Sequence, residues 1–189
     1  MIAIYDYRKP TVAAVAGIAP GYGMDLANMC DVTIASKNAQ FVSTQVKYAM
    51  NGFCHGTARK VGAQRARRIL FAGDPISAEE AYRVGLVDEL ASMGQVRAIA
   101  LKLAKNIAEA GSDMTTVLKE VARWSNNRDH VGANAYELRV TSDPVQRKIY
   151  SHDQGRVGKE TGKENSSLGE ALSSISCMPP ATGDRVFRD

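Results

Sequence analysis

Three stretches of the sequence gather residues that could do chemistry. The first is Gly17-Ile-Ala-Pro-Gly-Tyr-Gly23, which follows an apolar run, Thr11–Ala16, and precedes a segment of helical composition. A strand that ends in glycines and feeds a helix leaves backbone N–H groups aimed at one point. Such a point suits an anion, or an oxygen that becomes anionic during a reaction. A plainer role competes with this one, because a tight strand-to-helix turn needs glycines in any case. Their spacing fits neither the dinucleotide fingerprint G-x-G-x-x-G nor a phosphate loop ending in G-K-[ST].

The second stretch is Cys54-His55, a candidate nucleophile beside a candidate base. Adjacent residues on an extended loop point apart, and no third group is identifiable to orient the histidine. The spacing of Cys30, Cys54 and His55 matches no zinc-ligand pattern. Cys30, just before Asp31, reads more simply as a small buried residue between a helix and a strand. The third stretch is basic: Arg59, Lys60, Arg65, Arg67 and Arg68, with no acidic residue between Gly56 and Gly73. A solvated helix face is its simplest reading. A basic helix can also track the phosphates of RNA, but no aromatic stacking platform accompanies this one, so RNA is not an expected partner.

The elements that must position these residues follow from local pattern. Thr11–Ala16 (TVAAVA) is almost wholly apolar and reads as a buried strand. Met24–Cys30 is helical in composition, Asp31–Ala35 is a second buried strand, and Ala39–Val42 begins a third. Strand, glycine turn, short helix and strand belong to a layered fold that mixes sheet and helix. From Gly56 to Phe71 the composition is helical. Ser77-Ala-Glu-Glu80 is a capping box that starts a short helix, Gly85 ends it, and Leu86–Leu90 is a short extended link. Val96–Ala110 puts Ile99, Leu103 and Ile107 on one face, the mark of an amphipathic helix. Asp113–Asn126 is another, with Val117, Val121 and Trp124 inward, and Trp124 is expected in the core or at a subunit interface. His130–Tyr150 is a third, interrupted near Ser142-Asp143-Pro144 because proline disfavours helix in the residue before it. After about Asp153 apolar residues thin out, so 153–189 is expected to be disordered alone or ordered only against a partner.

With 189 residues the chain has room for one sizeable core, and 44% hydrophobic and 23% charged residues are ordinary for a globular protein. No apolar run approaches the roughly 18–20 residues that span a bilayer. No targeting peptide is visible in Met1–Pro10, and a removed one would leave no trace. Three cysteines without a CxxC pair point to free thiols and a reducing compartment. A net charge of +4 is mild, compatible with an anionic ligand and demanding none.

Read continuously, Lys9–Leu90 carries five short patterns in order: K-P-x-V-A-A-V, G-x-A-x-G-x-G, L-A-x-x-C-D, I-A-S-x-x-A-x-F, and G-x-x-I-S-A-x-E-A-x-x-x-G-L-V. In this order they resemble the crotonase, or enoyl-CoA hydratase/isomerase, family. The resemblance implies an α/β fold, a crotonase-like spiral of ββα units followed by C-terminal helices. It divides the chain into a partial core, 1–92, a helical region, 93–152, and a polar tail, 153–189. It also implies an upstream half holding the first strands, a second oxyanion donor and much of the adenine-nucleotide site, none of which is in this sequence. The expected fold is therefore a spiral lacking its N-terminal half.

By the same resemblance the N–H of Tyr22, with Gly23 beside it, holds a thioester oxygen as an enolate. The two glutamates that add water across the double bond map to Asp25 and Gln45. Asp25 keeps a carboxylate with a reach shorter by about 1 Å, a displacement that can cost about a hundredfold in rate. Gln45 cannot transfer a proton near neutral pH. Tyr22 replaces a glycine and would be strained if that position required positive φ. The segment after Gln45, NGFCHGTARKVG, is shortened relative to the family, which puts the acyl pocket's shape in doubt.

Arg59 and Lys60 would contact CoA phosphates. The ligand implied is a CoA thioester, with no further cofactor and no metal. The partners implied are copies of the chain in a trimer or hexamer, or other subunits of a complex, in the cytoplasm or mitochondrial matrix. The expected function is that of a family member without hydratase activity, a structural or regulatory subunit. The alternative is an active isomerase, lyase or hydrolase of acyl-CoA thioesters that works through Asp25.

Overall fold

The computed structural model describes residues 2–50, 52, 54–125 and 130–142. Two extended paths dominate it, each broken once so that it serves two sheets. The first path is β1 (Val12–Val15) and β2 (Ile18–Pro20), broken at Gly17; the second is β3 (Val32–Ser36) and β4 (Gln40–Val42), broken at a tight turn. Ser36 makes that turn, its carbonyl accepting from the Ala39 N–H at 2.9 Å and its Oγ from the Asn38 N–H at 3.1 Å. One sheet has the order β1-β3-β6 and the other β2-β4-β5, where β5 is Ile76–Ser77 and β6 is Glu89–Ala91. β1/β3, β3/β6 and β2/β4 are parallel pairs, while β4/β5 is antiparallel.

The strand β2 lies inside the stretch whose sequence suggests only a turn. Gly21 N–H donates to the Val42 carbonyl at 2.7 Å and Gln40 N–H to the Gly17 carbonyl at 3.3 Å. Residues 17, 19 and 21 therefore face β4, and Pro20 faces away, where its missing N–H costs no ladder bond.

Helix α1 (Ile2–Tyr5) precedes β1, and α2 (Tyr22–Met29) crosses from β2 to β3. The stretch expected to be one helix after Gly56 is two, α3 (Cys54–Val61) and α4 (Ala63–Ala72), because Gly62 takes φ 80° between them. Cys54 and His55 therefore sit in the first turn of a helix and not on an extended loop. In α5 (Ala78–Arg83) the capping box forms, with Ser77 Oγ accepting the Glu80 N–H at 3.2 Å. The link after Gly85 continues into β6.

Between the sheets, Met24, Phe41, Leu86 and Val87 form a core, each 1% exposed or less. A second cluster, Ile34, Ala91, Val96 and Ala100, seats α6 (Val96–Glu109) with help from Ile99 and Leu103. The helices α7 (Ser112–Ser125) and α8 (His130–Ser142) follow. Val117 is buried, but Trp124 is 50% exposed, its ring 6.0 Å from that of Tyr136. The core placement expected of Trp124 is thus corrected: its ring lies against Tyr136 of α8 at the surface of the chain. No helix among the described residues is long and apolar enough to cross a membrane. The expected tail, 153–189, and the part of the last helix beyond Ser142 lie outside the described residues.

Candidate active site

Gly21 is the hinge of the site. It takes φ 53°, ψ −116° at the head of α2, a conformation open to glycine alone. A Cβ there would stand 2.7 Å from Thr44 Oγ1. The positive φ thus falls on Gly21 and not on Tyr22, which begins the helix in an ordinary conformation. The strain expected at Tyr22 is absent. Tyr22 and Gly23 occupy the first turn, where N–H groups have no acceptor within the helix. The Tyr22 ring is half-exposed.

One turn further, Asp25 points inward and is 2% exposed. Its N–H donates to the Gly21 carbonyl at 3.1 Å, so the helix start and the carboxylate are fixed together. Gln45 opens a 3₁₀ turn (Gln45–Tyr48) directly after β4 and is 4% exposed. Its Nε2 donates to Asp25 Oδ2 at 2.6 Å, and Ser43 Oγ donates to its Oε1 at 3.4 Å. The turn is closed by Ala49 at φ 52°, with Met50 N–H returning to the Gln45 carbonyl at 3.0 Å. Gly73, also at positive φ, lets the end of α4 meet this turn: a Cβ there would stand 2.6 Å from Val46 Cγ1.

Beside Gln45 lies a cavity of about 200 Å³ walled by Val46, Met50, Cys54, Leu70 and Phe71. Val46, Met50 and Phe71 are substantially exposed, so the cavity opens through an apolar mouth. The arrangement offers one carboxylate, one amide that holds it, helix-terminal N–H groups nearby in sequence, and apolar space. A single proton can be moved here by Asp25. Of the two groups in the Asp25–Gln45 contact, only the carboxylate exchanges a proton near neutral pH. Sequence reasoning brought out Asp25 and Gln45 but not Ser43 or the Leu70–Phe71 wall, which the fold brings in from 25 residues or more along the chain.

Arg59 and Lys60 lie elsewhere. The Arg59 guanidinium stacks over the Tyr5 ring at 5.1 Å, with Arg123 on the same ring at 4.7 Å. Lys60 turns inward, and its Nζ donates to Thr33 Oγ1 at 2.8 Å. Burial pushes its amine below the ordinary value of 10.5, with Asp88 opposing the shift. The solvated-face reading of the basic helix therefore fails for Lys60. Both residues border a second cavity, about 510 Å³, formed with Asn28, Cys30 and Lys119 and separate from the cavity beside Gln45. Cys30 ends α2 in this wall, and burial pushes its thiol up. His55 is drawn to Tyr5 edge-on at 6.2 Å while Cys54 borders the smaller cavity, so the two point apart.

The family model for enoyl-CoA hydratase/isomerase matches residues 1–165. Among curated relatives, (E)-benzylidenesuccinyl-CoA hydratase of Thauera aromatica is 38% identical over 117 residues, 60% of this chain and 46% of that one. The short-chain-enoyl-CoA hydratase of Clostridium acetobutylicum is 36% identical over 133 residues, 69% of this chain and 51% of that one. An enoyl-CoA hydratase structure from Mycobacterium smegmatis superposes with a TM-score of 0.70 at 22% identity, covering 82% of this chain and 63% of its own. A monofunctional enoyl-CoA isomerase from the same organism gives a TM-score of 0.63 at 26% identity, over 70% of this chain and 64% of its own. The chain spans about half the length of the curated relatives it matches. From the motif order, the paired parallel strands and these matches, the chain belongs to the enoyl-CoA hydratase/isomerase family.

Proposed function

We propose that this family member does not hydrate enoyl-CoA thioesters and acts as a structural or regulatory subunit of an oligomer or larger assembly. The observation that carries this reading is the buried 2.6 Å contact between Gln45 Nε2 and Asp25 Oδ2. Hydration as the family performs it needs a second carboxyl where Gln45 stands, and an amide neither gives nor takes a proton near neutral pH. The amide also fixes Asp25 as a hydrogen-bond acceptor and holds it away from other work. The ligand class is a CoA thioester, with no other cofactor. The assembly is a trimer, a hexamer or a complex with other subunits. Cys30 and Cys54 are free thiols, which supports a reducing compartment, the cytoplasm or the mitochondrial matrix.

A second reading is favoured by the Gly21 turn and the carboxylate that survives at Asp25. In it the chain is an isomerase, lyase or hydrolase of acyl-CoA thioesters. Asp25 moves one proton, and the N–H groups of Tyr22 and Gly23 hold the enolate oxygen. Crotonyl-CoA hydration followed by absorbance, with calorimetric titration of acetyl-CoA and crotonyl-CoA, separates the two. The first reading expects no hydration above buffer by the parent or by Asp25→Ala. Hydration by the parent that vanishes in Asp25→Ala would overturn it. Micromolar binding with other turnover that Asp25→Ala abolishes would select the second reading.

A further inference from the structure

The cavity of about 510 Å³ between the end of α2, α3 and α7 shares no wall residue with the one beside Gln45. Its volume falls within the roughly 300–1,000 Å³ of small-molecule sites. Gly56 lets α3 approach α2 closely enough to shape it, because a Cβ there would stand 2.8 Å from Met29 Cε. One face is apolar, formed by Met29, Ile107, Leu118 and Ala122.

The charges on the wall do not balance. Arg59, Lys60, Lys119 and Arg123 line the cavity, and Asp31 is the one carboxylate that joins them there among the described residues. Asp31 pairs with Lys119 at 2.7 Å, and Arg123 pairs with Asp6. Four cations less these two carboxylates leave an excess of two positive charges. Cys30 adds no negative charge near neutral pH, since burial raises its thiol above the ordinary value. Lys60 makes no ion pair among the described residues, and its partner is the neutral Thr33 Oγ1 at 2.8 Å. An ammonium carries three N–H bonds. Lys60 uses one, and Lys119 uses two, on Asp31 Oδ2 at 2.7 Å and the Lys9 carbonyl at 3.0 Å. The other two of Lys60 and the third of Lys119 have no partner among the described residues.

The same wall holds an acceptor without a donor. Asn28 is 6% exposed, and its Nδ2 donates to Thr57 Oγ1 at 2.9 Å. Its Oδ1 is buried with no hydrogen-bond partner among the described residues. A buried acceptor without a donor is costly, and so is a buried ammonium beside neutral groups. One ligand relieves both if it is an anion that also carries a hydroxyl or N–H. A phosphate places about two charges and three acceptor oxygens on one group, whereas a second carboxylate would fall against the apolar face. We infer that this cavity binds a small organic phosphate monoester, its phosphate against Lys60 and Lys119 and its hydroxyl or N–H donating to Asn28 Oδ1. The inference does not rest on what the Asp25–Gln45 pair does.

The test is calorimetric titration of the full chain with glycerol 3-phosphate, propyl phosphate and inorganic phosphate. The expected result is one site for glycerol 3-phosphate with a Kd of about 0.1 mM, and binding of propyl phosphate about fivefold weaker for want of the hydroxyl. Inorganic phosphate should bind more weakly still. Lys60→Met should weaken glycerol 3-phosphate about thirtyfold by removing a charge-assisted hydrogen bond. Asn28→Asp should do about as much by setting a carboxylate against the phosphate. Melting curves show whether each variant is folded, and if one is not, the other decides. No binding by the folded parent up to about 10 mM overturns the inference. So does an affinity unchanged in the folded variants, or one no higher than that of propyl phosphate or inorganic phosphate. Displacement of glycerol 3-phosphate by CoA also overturns it, because the cavity would then belong to the CoA thioester of the proposed function.

Discussion

Replacing Gln45 with glutamate changes one atom type and puts a second carboxyl against Asp25. In the parent, Gln45 Nε2 and Asp25 Oδ2 are 2.6 Å apart, with Asp25 2% exposed and Gln45 4% exposed. Two carboxylates at that 2.6 Å separation would repel by about 6 kcal/mol at an effective dielectric of about 20. The folded variant therefore keeps one shared proton well above the range in which an unfolded glutamate loses its own. The sign follows from proton counting. Where the folded chain holds a proton that the unfolded chain has released, stability falls as pH rises. The loss begins above the unfolded carboxyl's titration and grows by about 1.4 kcal/mol for each pH unit.

Between pH 5 and pH 8 the Gln45→Glu variant should thus lose about 4 kcal/mol relative to the parent. At pH 5 the two should agree within about 1 kcal/mol, since a protonated carboxyl introduced at position 45 can donate to Asp25 as the amide does. Urea unfolding followed by circular dichroism at pH 5, 6, 7 and 8 measures the difference. Adding Asp25→Asn to Gln45→Glu removes the like charge and should flatten the difference. Parallel pH profiles for parent and Gln45→Glu would refute the reasoning, because they would mean that the two carboxyls separate or are hydrated.

Three further outcomes are expected. Gly21→Ala should cost about 2–3 kcal/mol, from a backbone conformation alanine resists and a Cβ 2.7 Å from Thr44 Oγ1; a melting temperature within 2 °C of the parent, roughly the effect of 1 kcal/mol, would contradict it. Lys60→Met should raise stability near pH 7. Burial holds the Lys60 amine below its ordinary 10.5, so approaching that pH the folded chain releases its proton first and the parent gains stability as pH rises. The variant should lack that rise, and a parent curve that falls over the same window would count against the assignment. Asp31→Asn should cost about 2 kcal/mol. Asp31 Oδ2 accepts from Thr11 N–H at 2.7 Å, Thr11 Oγ1 at 2.8 Å and Lys119 Nζ at 2.7 Å, and Lys119 is only 8% exposed. Adding Lys119→Met should recover part of the urea midpoint; no recovery would mean that the ion pair is not the source.

What the sequence disclosed was local, or fixed by motif order. Thr11–Ala16 is apolar enough to read as a strand without knowing its neighbours, although it is only half-buried, with Ala14 and Ala16 exposed, and Ser77 with Glu80 states its own cap. Asp25 and Gln45 were marked by the family resemblance, as the positions of its two glutamates. Their contact was not legible, because it depends on β2 and β4 pairing in register and so bringing residues 20 apart together. β2 was hidden by Pro20, which is compatible with a strand only on an edge and facing outward, and nothing local says which edge exists. Lys60 was misread for a similar reason. A run of cations predicts a wet face, and the partner that draws this lysine inward, Thr33, lies 27 residues away. Trp124 sits at helical spacing with Val117, but its ring packs against Tyr136 of α8 and stays half-exposed.

The Gln45 contact also bears on why a chain of this family would carry an amide there. A pair of buried carboxyls that share protons at neutral pH is destabilising, and the hydratase reaction is what such a pair is for. With Gln45 in place the same side-chain positions satisfy one another, Ser43 to Gln45 to Asp25, in a line of neutral and charge-assisted hydrogen bonds. The substitution that would restore a second proton-transfer group is thus the one expected to weaken the fold above pH 5. Stability and hydration thus favour different residues at position 45, an amide for the first and a carboxyl for the second.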